Sequence, residues 1–280
     1  MLDEHPLDFR SDDADLLGIL SLPENPAHVG VLIVVGGPQY RIGSHRQFTL
    51  LARALSDAGY ASLRFDHRGI GDSSGQEISF QQLDNDILAA IDTLVGAVPS
   101  LKKIVLWGLC DAASASLLYW RRQHDRRVAG MVLLNPWVRS EKTLAETRIR
   151  HYYGQRLLQG AFWKKLLSGR LSFGTALAGV LSTLRAKTGS QESSSDSFQV
   201  QMQDAWCEFP GESLVILSAL DYTAREFMLW WNAFRPQMPR LESVSLVEYL
   251  DANHTFSSRA HRLMVEQATI DWLDTRMGRV

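Results

Sequence analysis

Cysteine, net charge and long apolar runs are all scarce in this sequence. Only two cysteines, Cys110 and Cys207, occur in 280 residues, so the chain has neither a disulfide framework nor the Cys-x-x-Cys spacing of a metal site. A net charge of -2 argues against a protein devoted to nucleic acid or acidic membranes. No apolar segment approaches the roughly 20 residues that span a bilayer. Neither a metal nor a cofactor is expected.

The first residues also lack the features of a secretion signal. Met1 to Pro6 is acidic where a signal peptide is basic, and no apolar core follows it. We therefore expect a cytoplasmic protein without a transmembrane segment.

What the sequence does contain is an alternation of apolar strand-like runs with helical patterns. Such alternation predicts an α/β fold with a mostly parallel sheet covered by helices on both faces. The predicted strands are 16–22, 31–35, 60–65, 103–109, 130–134, 213–218 and 244–249. The predicted helices are 46–58, 80–95, 111–123 and 258–277.

Residues 139–205 interrupt this alternation with a helical and basic pattern. Residues 139–187 contain ten lysines and arginines but only two glutamates, and a serine-rich stretch, 189–197, follows. We interpret 1–138 and 206–280 as the core and 139–205 as a helical cap inserted between two late core strands. Its charge is explained most simply as a solvated helical face. The alternative is attraction for an acidic substrate or a membrane surface.

The stretch around Cys110 has the pattern of a nucleophile elbow. The apolar run Lys103 to Leu109 leads through Gly108 directly into small residues that favour a helix. In the usual Gly-x-Ser-x-Gly form a serine occupies the position of Cys110, and a glycine that of Ala112. A helix N-terminus beside a thiol favours the thiolate. The alternative is that Cys110 is a small buried hydrophobic residue.

A base and an acid follow Cys110 in the order that this architecture uses. Asp221 comes directly after the run Leu214 to Ser218, and His254 lies on the loop after the run Val244 to Tyr249. Because sites in parallel sheets lie beyond the carboxyl ends of the strands, these side chains predict a Cys110–Asp221–His254 triad.

Other residues remain alternatives or have other expected roles. Asp251 is close to His254 in sequence and is the alternative partner of that histidine. His67 and His261 are interpreted as structural or surface groups, and Cys207 as inert.

The chemistry of acyl groups also requires donors for an oxyanion. One donor is expected to be the backbone N–H of Asp111, and the other to come from the loop Gly36-Gly37-Pro38-Gln39. Because proline has no N–H, we expect the backbone or side chain of Gln39 to supply the second donor, with Gly37 in the same hole. The side chain of Asp111 caps the helix or shapes the electrostatics of the site.

These motifs resemble those of the α/β-hydrolases, and more narrowly the exosortase A system-associated hydrolases of the first type. The resemblance is carried by five segments: Gly36 to Phe48, Arg64 to Ser73, Gly108 to Ala113, Asp221 to Ala224 and Asn253 to Phe256. It implies an α/β-hydrolase fold and a Cys-Asp-His hydrolase encoded beside exopolysaccharide and protein-sorting genes. The usual oxyanion motif of the superfamily begins His-Gly, and Gly36-Gly37 departs from it.

The function expected from these observations is hydrolysis of an ester or thioester through an acyl-cysteine intermediate. The cysteine is also similar to that of dienelactone hydrolases and of acyl-CoA:amino acid acyltransferases, which keeps a lactone substrate and acyl transfer open. The expected partner is a small acyl substrate, with an acidic group if the basic cap attracts it. A hydrolase fold retained as a non-catalytic binding or scaffold protein is the alternative from another class.

Overall fold

The computed structural model describes residues 3–37, 39–139 and 197–278. The strands are β1 (Asp3–Ser11), β2 (Ala14–Leu22), β3 (Val29–Val34), β4 (Ser62–Phe65), β5 (Lys103–Leu109), β6 (Val128–Leu134), β7 (Glu212–Ser218) and β8 (Val244–Tyr249). The α-helices of these residues, numbered in chain order, are α1 (Gln47–Asp57), α2 (Asp84–Ala97), α3 (Asp111–Gln123), α4 (Phe198–Glu208), α5 (Tyr222–Phe234) and α6 (Arg259–Trp272).

The strands of this described part form one eight-stranded sheet in the order β1-β2-β4-β3-β5-β6-β7-β8. From β4 to β8 every neighbouring pair is parallel, whereas β1 and β2 pair antiparallel with each other and β2 pairs antiparallel with β4. This is the α/β-hydrolase fold that the sequence predicts. β5 lies in the middle of the sheet, which places the end of the predicted elbow strand at the centre of the carboxyl edge.

The central strands are apolar because helices cover both of their faces. Every residue of β3 is buried, as is every residue of β5 after Lys103. A continuous run of β-branched and other apolar residues is what a strand buried on both sides requires, since no alternate position meets water. The core therefore holds the end of β5 firmly in place.

Two elements were not anticipated from the pattern. β1 carries mostly polar residues, and its position at the edge of the sheet explains this, because most of its side chains are exposed or only partly buried. α5 directly follows Asp221 and buries Phe227 and Trp231.

The predicted helix 80–95 is divided into a short 3₁₀ turn, Phe80–Gln82, and α2.

Most of the predicted cap lies outside the described residues, since 140–196 are not among them. One compact unit comprises 1–138 and 201–280, and the second comprises 139–200. α4 continues across the division that the sequence suggested between residues 205 and 206. Among the described residues, the helices are too short or too polar to cross a membrane.

Candidate active site

Cys110 occupies the sharp turn between β5 and α3. Its backbone has φ of 62° and ψ of -122°, a combination that a residue with a side chain rarely adopts. Gly108 makes the turn possible, because a Cβ there would lie 2.6 Å from the backbone carbon of Ala112. The N–H of Cys110 donates to the Leu134 carbonyl at 2.8 Å, and its carbonyl accepts from Trp137 at 3.2 Å. The thiol is thus presented at the carboxyl edge by a strained and well-anchored backbone.

The strain at Cys110 leads to a stability prediction for two variants that both lack the thiol. We expect Cys110→Gly to be more stable than Cys110→Ala by about 1 kcal/mol, because glycine adopts positive φ without steric cost, which outweighs its extra chain entropy. Urea unfolding of the two variants measures this difference. Equal midpoints would show that the turn is not strained.

His254 lies between Asp221 and the Cys110 sulfur. Its Nδ1 is 2.6 Å from Asp221 Oδ2, and the interaction of its side chain with Cys110 contributes to its raised pKa. The bond to Asp221, followed by the bond to Cys110, raises the pKa of His254 to about 10, although burial opposes this shift. The imidazole therefore carries a proton at neutral pH, and its positive charge faces the sulfur.

Asp221 is positioned by the start of α5. It is the N-cap of that helix, and its Oδ2 accepts from the N–H of Ala224 at 3.3 Å. Burial alone would raise the pKa of Asp221, but the hydrogen bond to His254 and those from the Thr223 and Ala224 N–H groups lower it below its usual range. Asp221 is therefore a fixed negative charge that orients the imidazole.

The alternative partner of His254 is occupied elsewhere. Asp251 Oδ1 lies 3.0 Å from Nε2 of His261, so the structure pairs Asp251 with His261 and Asp221 with His254. His67 is buried, which lowers its pKa, and its Nδ1 lies 3.2 Å from the Arg68 carbonyl.

The second cysteine has a different environment. Burial, followed by the charges of Asp204 and Glu208, raises the pKa of Cys207. These neighbours favour the protonated thiol, so nothing around Cys207 activates its sulfur.

Asn135 supports the site and was not anticipated from the sequence. It is fully buried at the end of β6 with φ of 42°. Its Nδ2 donates to the His254 carbonyl at 3.0 Å and to Ser218 Oγ at 2.9 Å, and its Oδ1 accepts from the Ser218 N–H at 2.9 Å. One amide thereby ties the histidine loop to the end of β7. The sequence shows only an asparagine directly after an apolar run, a residue that tolerates positive φ better than most.

We expect Asn135→Ala to reduce turnover by roughly 10- to 100-fold, because small displacements of a catalytic group have effects of that size. The readout specific to positioning is the alkylation of Cys110 by iodoacetamide at pH 6, which depends on the imidazolium beside the sulfur. It should slow in Asn135→Ala and stay unchanged in Asn232→Ala, at an exposed position on α5. A variant that is destabilised but alkylated at the normal rate would show that Asn135 only stabilises the fold.

One residue of the predicted oxyanion hole, Gly37, contacts the Asp111 carboxylate. The Gly37 N–H donates to Asp111 Oδ2 at 2.9 Å, and the Ala112 N–H donates to Oδ1 at 3.0 Å. Two of the three residues predicted for the hole, Gly37 and Asp111, are thereby brought together.

Gln39 is the third residue predicted for the oxyanion hole. Its side-chain oxygen is directed at the start of the next helical segment. Oε1 accepts from the Ser44 N–H at 3.2 Å and lies 3.5 Å from Gln47 Nε2. The role of Gln39 as an oxyanion donor stays a prediction.

No metal site accompanies this arrangement in the part of the chain that the structure describes. Within 3–37, 39–139 and 197–278, no group of three or more His, Cys, Asp or Glu side chains is arranged to hold a metal ion.

The comparison with protein families identifies the group to which the chain belongs. The model of the serine aminopeptidase S33 family matches residues 27–201, more than half of the chain. The chain belongs to this family. The matched residues include the elbow at Cys110 and end before Asp221 and His254. The family is named for serine aminopeptidases, whereas this chain has a cysteine, Cys110, at the turn. The family match therefore does not account for the thiol.

Solved structures of other α/β-hydrolases share the fold at low sequence identity. An esterase of Pyrococcus furiosus, Pf2001, is 16% identical with a TM-score of 0.67, covering 99% of this chain and 94% of its own. A dienelactone hydrolase from Anabaena variabilis is 15% identical with a TM-score of 0.62 and 98% coverage of both chains. Est1E of Butyrivibrio proteoclasticus, solved with ferulic acid bound, is 15% identical with a TM-score of 0.62, covering 97% of this chain and 99% of its own. The comparison with curated proteins gives no match.

Proposed function

We propose that this S33-family protein is a hydrolase of esters or thioesters that acts through an acyl-Cys110 intermediate. The observation that carries the proposal is the placement of His254, which hydrogen-bonds Asp221 and interacts with the side chain of Cys110, a cysteine held at a strained turn. A cysteine whose proton can pass to a neighbouring imidazole is a strong nucleophile, and its attack on an acyl carbon requires neither a metal nor a cofactor.

The reaction proceeds in two steps that use the same imidazole. The Cys110 thiolate attacks the carbonyl carbon, an oxyanion forms, and the His254 proton passes to the leaving alkoxide or thiolate as the C–O or C–S bond breaks. In the second step His254 takes a proton from water, the resulting hydroxide attacks the acyl carbon, and the bond to Cys110 breaks. Asp221 keeps the imidazole oriented and stabilises its charge in both steps.

The substrate class is supported by likeness alone. The neighbours include an esterase, a dienelactone hydrolase and an enzyme solved with ferulic acid, which favours an ester, with a lactone as a variant of the same chemistry. The resemblance to exosortase A system-associated hydrolases supports a role beside exopolysaccharide systems. The preference for an acidic substrate depends on the basic residues of 139–205, most of which lie outside the described residues.

Mass spectrometry after a rapid acid quench tests the proposal. With a 4-nitrophenyl ester, whose leaving group departs without protonation, acylation should outpace deacylation and give a burst. We expect the acyl mass on the peptide that contains Cys110 and none on the peptide that contains Cys207. A panel of acyl-CoAs and lactones then defines the substrate class. The proposal is wrong if turnover is measurable and Cys110 carries no acyl group with any donor.

A further inference from the structure

The carboxylate of Asp111 accepts a hydrogen bond from the Gly37 N–H, a group of the predicted oxyanion hole. Catalysis of acyl transfer needs N–H donors directed at the developing oxyanion, normally from the residue after the nucleophile and from the loop after the third strand. In this chain those positions are Asp111 and the loop at Gly37. The N–H of Gly37, together with that of Ala112, donates to the Asp111 side chain at 2.9 and 3.0 Å respectively.

We propose that Asp111 is an internal plug of the oxyanion hole, and that substrate must displace its carboxylate from the Gly37 N–H before Cys110 can be acylated. This inference rests on the proposed function and concerns the regulation of the same site. The negatively charged oxygens mimic the oxyanion that the donors are arranged to stabilise. The resting site is therefore closed by its own side chain.

The hold of the carboxylate on the hole is weakened by burial. Asp111 is partly buried, and desolvation raises its pKa even though the N–H groups of Gly37 and Ala112 act in the opposite direction. A buried carboxylate that lacks a cationic partner is costly. The described contacts of the Asp111 oxygens are to backbone N–H groups and include no ion pair with lysine or arginine. Displacement of Asp111 by a neutral carbonyl oxygen is therefore feasible.

The alternative explanation is that Asp111 acts as a clamp on the loop that carries Gly37. Other contacts already hold that loop. Buried Asp66 accepts from the Arg41 N–H at 2.6 Å and forms an ion pair with the Arg41 guanidinium. The Gly43 N–H donates to the Tyr40 carbonyl at 2.8 Å, and Ser44 donates to Gln39. The loop should thus keep its position when the Asp111 side chain is shortened.

Close packing explains why the carboxylate reaches Gly37. A Cβ on Gly36 would lie 2.1 Å from Asp111 Oδ1, so only a glycine there leaves room for the carboxylate. The loop sequence Gly36-Gly37 replaces the usual His-Gly of the superfamily. Gly36 leaves the space that the Asp111 carboxylate fills, so the two residues are complementary in shape.

The test measures the affinity of a trifluoromethyl ketone, which reports directly on the oxyanion hole. The Cys110 thiolate adds to the ketone carbon, the π electrons move to oxygen, and the resulting alkoxide requires the N–H donors. We expect Asp111→Ala to bind the ketone at least roughly tenfold more tightly than wild type, given the size of oxyanion-donor effects. Asp111→Asn, which loses the charge and keeps one acceptor, should lie between them. Asp8→Ala, at an exposed position on β1, should match wild type.

Alkylation of Cys110 by iodoacetamide provides the second measurement, because it needs the thiolate and no oxyanion hole. If Asp111→Ala is alkylated at the wild-type rate and binds the ketone no more tightly, Asp111 is a clamp and the plug proposal is overturned. If neither wild type nor any variant forms a ketone adduct or an acyl adduct at Cys110, the proposed function fails instead. The two failures therefore give different results.

Discussion

Replacement of Cys110 by alanine should reduce ester or thioester turnover by roughly 10³-fold or more, since alanine cannot form the acyl intermediate. Cys110→Ser should retain more activity than Cys110→Ala and less than wild type, because a hydroxyl is a much weaker acid than a thiol and His254 must remove its proton. Steady-state kinetics with a 4-nitrophenyl ester compare the turnover of wild type, Cys110→Ser and Cys110→Ala. This is the largest effect that we expect from any single change.

Cys207→Ala is the matched control for this series. Its sulfur is held protonated by burial and by the neighbouring Asp204 and Glu208, so its loss should leave turnover unchanged. Retention of more than about a tenth of the wild-type rate by Cys110→Ala would exclude the thiol as nucleophile, given the size of nucleophile effects. The alternative of a non-catalytic scaffold would then regain support.

The second large effect concerns the pH dependence of acylation through His254. Because hydrogen bonds raise the pKa of His254 to about 10, the imidazolium that protonates the leaving group persists from pH 6 to pH 8. The rate of acylation by an alkyl ester, whose leaving group needs a proton, should therefore show no loss from deprotonation of the imidazole over this interval. An imidazole with the ordinary pKa near 6.5 would lose roughly 20- to 30-fold of its protonated form over the same two units.

Asp221→Asn should give an acylation rate that falls steeply between pH 6 and pH 8, because the neutral amide no longer stabilises the imidazolium, while asparagine remains a good N-cap for α5. Asp251→Asn is the matched control: this aspartate is close in sequence to His254 but pairs with His261. A flat profile in Asp221→Asn, or a steep one in Asp251→Asn, would contradict the pairing in the structure.

The same pairing affects stability in a defined direction. The folded pKa of His254 lies above the ordinary value of 6.5, so its stabilising contribution is fully present below that value. It is lost as the pH rises through about 10, where the imidazolium is deprotonated in the folded state. Asp221, whose pKa is lowered, contributes in the opposite sense: its stabilisation is present above the ordinary carboxyl value and is lost as acid protonates it.

Local patterns in the sequence were sufficient to predict the fold and to identify which residues are candidates for the site. The apolar run before Gly108 predicts β5, and the small residues after Cys110 predict α3, because strand and helix periodicities depend mainly on which faces are buried. The order of Cys110, Asp221 and His254 follows from strand ends meeting at one edge of a parallel sheet. β1 escaped prediction because an exposed edge strand has no continuous apolar run.

Only the tertiary structure decided which groups touch. The sequence favours Asp221 as the partner of His254 and leaves Asp251 as the alternative, and the pairing itself depends on how the loops after β7 and β8 meet. Asn135 and Asp111 acquire their roles from partners that are 119 and 74 residues away, namely His254 and Gly37. A local sequence pattern indicates whether a residue is buried. It does not indicate which groups that residue hydrogen-bonds, because those bonds form between loops that the sheet brings together.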